Sequence, residues 1–201
     1  MKDHIDFNQK ASVELGRSGK AKGGVGSQFS PRGEFVVEHW RDGLLLATHT
    51  MKNGITTEGK NHAFDSTFDA QSPITVWYMG LIDLTGYTAL DATDTYDDID
   101  QAGNDWDEFK DYDYSAVSTN RGVWSPDAAS AASISNSTQV VFDITASGTV
   151  KGLFICGGGA ASSVQGDHAA DGTLWATALF DQGDTAVVNA DQLKVTYTIS
   201  A

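Results

Sequence analysis

The chain reads as an all-β protein, a jelly-roll-like β-sandwich with one short helix and an extended N-terminal arm. Three observations lead there. Apolar runs of strand length recur along the sequence between turn residues, and glycine is frequent, at 21 of 201 residues. One run, Ile74-Thr-Val-Trp-Tyr-Met-Gly-Leu-Ile-Asp83, is almost unbroken, so it must be covered on both faces, as a central strand is. The last run alternates, with Val195, Tyr197 and Ile199 opposing Lys194, Thr196 and Thr198. No repeat of roughly 20–50 residues appears, which argues against a solenoid.

Two parts follow from composition: an extended basic arm over residues 1–32 and a sandwich domain over residues 33–201. The arm is rich in Gly, Ser and Lys and poor in aromatics. Alone, it has too little apolar surface to offset the entropy of ordering. Two strand-like runs, residues 34–40 and 44–50, then flank Arg41-Asp42-Gly43, and Asp-Gly is a strong hairpin signal. This hairpin would set His39 opposite His49 as a cross-strand surface pair. Thr57 is the expected N-cap of a helix over residues 58–68, pinned across the sandwich by Ala63, Phe64 and Phe68.

Pro73 ends the helix and introduces the long strand. From residue 84 to 121 no periodicity persists, apart from a short helical turn expected over residues 95–99. A connection of that length is usually functional or packed by its own aromatics. Strands resume at residues 133–144, broken by Asn136-Ser137, and at 149–156 after a Ser147-Gly148 turn. A second long loop, residues 157–172, leads to strand candidates at 174–180 and at Val187-Val188.

The formal net charge of −14 argues against nucleic-acid binding by the domain as a whole. The charge is uneven. Cations gather early, from Lys2 to Lys60, and acids gather between Asp83 and Asp113. Such asymmetry suggests a basic arm that docks onto something acidic. The lone Cys156 precludes an internal disulfide and reads as a small buried hydrophobe, in keeping with a reducing cytoplasm. The expectation is of a chain with no signal peptide and no membrane span.

Catalytic chemistry finds little to work with. No Gly-x-Ser-x-Gly elbow occurs, and Gly157-Gly158-Gly159 lacks the Lys-Ser/Thr of a phosphate loop. Asp94-Thr-Tyr-Asp-Asp-Ile-Asp100 offers carboxylates suited to Ca²⁺, but without EF-hand spacing it reads as a solvated acidic face. Asp167, His168 and Asp171 are a weak transition-metal signal in a loop. The expectation is therefore no enzyme: no catalytic residues, no cofactor and no metal. Trp77 and Trp175, lying within strand-like runs, read as core. Trp106 and Tyr112 in the acidic loop are the candidates for a surface that stacks on a glycan.

The order of motifs resembles a family of small virion structural proteins of tailed bacteriophages. The motifs are Asn53-Gly-Ile-Thr-Thr-Glu-Gly-Lys-Asn61, Val76-Trp-Tyr-Met-Gly-Leu-Ile82, Asp94-Thr95, Trp106-Asp-Glu-Phe109 and Arg121-Gly-Val-Trp124. Ile134-Ser-Asn-Ser-Thr138, Val150-Lys-Gly-Leu-Phe154, residues 174–180 and Asp191-Gln-Leu-Lys-Val-Thr-Tyr197 continue the match, which spans residues 33–201. The resemblance implies a virion component assembled in the host cytoplasm, and it brings no catalytic residues. The expected role is a capsid decoration (cement) protein that binds the major capsid protein as a homo-oligomer. It would contact neither nucleic acid nor membrane. Arg17, Lys20, Lys22 and Arg32 of the arm would make the contact. The alternative is a tail-fibre or head-fibre module that binds a host receptor or glycan through Trp106 and Tyr112.

Overall fold

The computed structural model describes residues 30–89, 91–101 and 106–201. Arg17, Lys20 and Lys22 lie outside the described residues. Arg32 opens the first strand, β1 (Arg32–Arg41), which pairs with β2 (Leu44–Ile55) in the expected hairpin. Asp42 and Gly43 at its tip have φ of 50° and 78°, the two positive values that a two-residue primed turn needs. The register sets Val37 opposite His49 and His39 opposite Ala47, so the two histidines do not face each other. Both are buried, at 4 % exposure, because they continue the inward rows of Phe35, Val37 and Met51.

The helix α1 (Thr57–Phe68) starts from Thr56, not Thr57: the Thr56 hydroxyl accepts the Gly59 N–H at 3.0 Å. Nor do its phenylalanines pin it. Phe64 is 50 % and Phe68 81 % exposed, and Gly59 is the helix's buried residue. A Cβ at Gly59 would come within 2.7 Å of the Trp175 carbonyl, so the helix approaches the sheet through a residue that has no side chain.

The remaining strands are β3 (Trp77–Asp83), β4 (Glu108–Phe109), β5 (Tyr112–Asp113), β6 (Gly122–Trp124), β7 (Ser133–Ser135), β8 (Val140–Ile144), β9 (Gly148–Gly157), β10 (Thr173–Leu179), β11 (Thr185–Val187) and β12 (Gln192–Ser200). A 3₁₀ turn occupies Tyr96–Asp98. The strands form one nearly closed antiparallel sheet in the order β4-β3-β9-β10-β2-β1-β12-β8-β5, with β6 on β3, β7 on β12 and β11 on β9. All-β is therefore the architecture.

Burial of four consecutive residues, 79–82, shows β3 covered on both faces, as its composition requires. Inside the sheet, Met79 and Leu81 join Phe35, Phe142, Leu153, Val195 and Tyr197 in the main core. Outside it, Ile82, Phe154, Cys156 and Leu174 meet Tyr87, Tyr96, Ile99 and Trp106 in a second core. The aperiodic acidic stretch supplies that outer layer. Its side chains are packed against a sheet face that would otherwise meet water.

Candidate functional site

The two long loops meet over the outer face of β9 around a buried ion pair. Arg121 is 0 % and Glu108 2 % exposed. The guanidinium donates from Nη2 to Glu108 Oε2 at 2.7 Å and from Nε to Oε1 at 3.0 Å. Its other N–H groups reach the Tyr96 hydroxyl at 3.0 Å and the carbonyls of Ser162 at 3.2 Å and Asp167 at 2.8 Å. Glu108 also accepts the Gly166 N–H at 2.6 Å and the Tyr112 hydroxyl at 3.3 Å. The Tyr96 hydroxyl donates to the Asp167 carboxylate. Both charges are thus paired and hydrogen-bonded, the condition for keeping them away from water.

The arrangement fixes loops; it does not present a reactive group. Burial pushes the Cys156 thiol up to about 12, against the lowering effect of Arg121, so at neutral pH it is a protonated, inaccessible thiol. Burial, reinforced by Glu108, raises Tyr112 well above the ordinary phenol range. The sequence signals for the pair were a Glu inside Trp106-Asp-Glu-Phe109 and an Arg leading Gly122-Val-Trp124, each a charge in an aromatic run.

A second polar cluster closes the hairpin-tip end of the sheet. The buried Asp191 carboxylate accepts from Arg41 Nε at 2.6 Å and Nη2 at 2.8 Å, and from the Val188 N–H at 2.9 Å. His39 Nε2 lies 2.8 Å from its Oδ2. The Arg41 bonds hold this carboxyl well below the usual range, outweighing its desolvation.

At the opposite end the sheet opens into a small apolar hollow of about 80 Å³, walled by Trp77, Trp124, Ile155, Trp175 and Ile199. Trp175 Nε1 donates to the Tyr197 hydroxyl at 3.0 Å, and Trp124 Nε1 to Asn136 Oδ1 at 3.0 Å. These bonds fix the indoles from behind. Trp77 meets Trp175 edge-on at 5.8 Å, with His62 against its other side at 5.8 Å. Sequence reasoning assigned Trp77 and Trp175 to the core; they pack on it while remaining partly exposed.

The glycan-stacking residues do not form a surface. Trp106 is 1 % and Tyr112 0 % exposed. Trp106 is wedged edge-on between Tyr87 at 5.3 Å and Phe154 at 5.4 Å, and Tyr112 against Phe142 at 4.9 Å. Covering the outer face of β9 draws the first inward, and closing the β8 edge draws in the second. Arg32 lines a hollow of about 440 Å³ with Glu34, Lys52, Asn53 and Ser200, at the same end as the tryptophans.

Among the described residues no three His, Cys, Asp or Glu side chains gather as a metal site. Asp98 instead accepts the Thr95 N–H at 2.7 Å, and Asp100 pairs with Lys110 at 2.5 Å. Asp171 accepts the Ala160 N–H at 3.1 Å, while the His168 ring sits at 3.1 Å from the Gly166 carbonyl. Among the described residues no helix is long and apolar enough to cross a membrane. The chain matches no protein-family model, no curated protein and no solved structure.

Proposed function

We propose that the chain is a capsid decoration (cement) protein of a tailed phage, which binds the outside of the head as a homo-oligomer and stabilises the shell. The observation that carries the reading is the use to which the resemblance motifs are put. Thr56 caps α1 and Gly59 seats it on Trp175. Glu108 and Arg121 form the buried pair, and Asn136 holds Trp124. The residues that carry the resemblance thus maintain a scaffold, which suits a protein whose work is to be a stable surface. A jelly-roll-like description goes with the same reading: among the described residues the two halves of the sheet join through a short junction, where Gly54 and Ile55 meet Thr177 and Ala176 and the Thr56 N–H reaches the Trp175 carbonyl.

In this reading the arm supplies attachment. Arg17, Lys20, Lys22 and Arg32 carry positive charge to an acidic feature of the major capsid protein, and a second point of attachment raises the effective concentration of the domain at the shell. The fibre alternative relied on Trp106 and Tyr112, and both are inside. Replacing Arg17, Lys20 and Lys22 together by Glu in the full-length protein should abolish its co-sedimentation with purified heads and leave its melting curve unchanged. Full occupancy of heads by that variant would refute attachment through the arm.

A further inference from the structure

The molecule exposes an apolar knob at one end and an apolar hole at the other. The knob is the hairpin tip, where Leu44, Leu45 and Leu46 are 69 %, 49 % and 49 % exposed. The pairing of β1 with β2 slips between His39 and Trp40, which leaves Leu46 as an extra residue and lets consecutive leucines stay outside. Edges and tips of sheets are usually guarded by charge, so three adjacent leucines mark a contact surface. The hole is the tryptophan-walled mouth. Its volume of about 80 Å³ is several times the roughly 10–15 Å³ that one water needs on the same measure, so an apolar group can enter it.

Knob and hole sit at opposite ends of β1. Ile199 of the mouth pairs with Gly33, while Leu44 and Leu45 pair with Arg41 and Trp40. A ten-residue strand spans about 30 Å, so the tip cannot reach its own mouth. A second copy can. The charges favour that approach. Around the mouth stand Arg32, Lys52 and Lys60, together with Glu34, Asp65 of α1 and Asp127 of the loop beside β7. The half of the molecule bearing the tip carries Asp42, Asp143, Asp181 and Asp184. Arg41 there is held on Asp191, and Lys194 is stacked over Trp40 at 4.7 Å. Two tips brought together would oppose like charges, whereas tip to mouth sets acids against a border of mixed charge that includes three cations.

We infer that copies of this chain associate head to tail, the leucine tip of one seated in the tryptophan mouth of the next. Such a contact uses two different patches, so it closes into a ring if the rotation allows and extends otherwise. It deepens the oligomer element of the proposed function, but it needs no shell and is tested on the purified protein alone.

Sedimentation equilibrium separates the outcomes. The wild type should show a mass that rises with concentration. The triple variant Leu44→Ser, Leu45→Ser, Leu46→Ser should stay monomeric, with association weakened about tenfold or more for each leucine that was buried. Ile199→Arg, which fills the mouth, should also be monomeric alone. Mixing the two variants should form a one-to-one dimer, because one keeps a mouth and the other a tip. A monomeric wild type, or a mixture that stays monomeric, overturns the inference. If Ile199→Arg fails to fold, the tip variant decides: its three positions are exposed, and self-association undiminished by their loss also overturns it. A monomer that still binds heads would sink this contact while leaving the decoration reading intact.

Discussion

The acidic connection over residues 84–121 and the helix α1 exchange the roles that their sequences suggest. The connection has no periodicity and is rich in Asp, yet it buries Tyr87, Tyr96, Trp106, Phe109 and Tyr112. The helix has spaced apolar residues, yet it shows Phe64 and Phe68 to solvent, stacked on each other at 6.3 Å. What differs is the surface each is offered. The connection lies over the outer face of β3 and β9, an apolar sheet face, and Arg121 with Glu108 satisfies the polar groups that go in with it. The helix is offered the backbone of Trp175, which only a glycine can approach. Burial follows from the partner surface, and a segment's own periodicity is a secondary guide.

The most direct way to break this comparison is at the ion pair. Arg121→Met leaves the Glu108 carboxylate buried with its strongest partner gone, and loss of one member of such a pair costs about 3–5 kcal/mol. For a chain of this size that is a fall in Tm of roughly 10 °C, measured by calorimetry. The double replacement Arg121→Met with Glu108→Leu removes both charges and should lose less than the single one. If the double variant is the worse of the two, the pair is not what makes the loops packable.

The Asp191 cluster gives a smaller effect with a pH signature. Its carboxyl titrates below the unfolded value of about 3.9, so the stability it adds is fully present above that value and is lost as pH falls through the folded pKa. Asp191→Asn should cost about 2 kcal/mol near neutrality, the scale of hydrogen bonds to a charged group. Its Tm should converge on the wild type in acid below pH ~4. Glu58 contributes with the opposite sign, since burial raises its pKa despite bonds from the Leu174 and Tyr96 N–H groups. Its contribution favours the fold in acid and is lost as pH rises through the folded value. The comparison is therefore cleanest in a Glu58→Gln background, where a pH-independent gap would exclude Asp191 as the titrating group.

Much of the fold was legible because local chemistry and tertiary context agreed. Asp42-Gly43 specifies the primed turn, the alternation of Val195, Tyr197 and Ile199 specifies β12, and the apolar run from Ile74 to Asp83 demands two covered faces, which the structure provides over residues 79–82. The candidate surfaces were less legible. Nothing local in residues 84–121 says that Trp106 covers the outside of β9, because that face is built by strands far along the chain. The mouth is assembled from β3, β6, β9, β10 and β12, so no single motif marks it. Arg121 was visible only as a charge in an apolar setting, without its partner.

The smallest expected effect tests the exposed side of the comparison. Replacing Phe64 and Phe68 together by Ser removes two rings that are half or more exposed and stacked on each other, so little buried area is lost. Exposed positions away from caps and cores usually shift stability by no more than about 0.5 kcal/mol. The Tm of the variant should accordingly stay within about 2 °C of the wild type, with an unchanged far-ultraviolet circular dichroism spectrum. Retained stability would mean that α1 is held by the Thr56 cap, Gly59 and the contact of His62 with Trp77. A loss comparable to that of Arg121→Met would mean that the phenylalanines are covered after all, and that the contrast between helix and connection is one of degree.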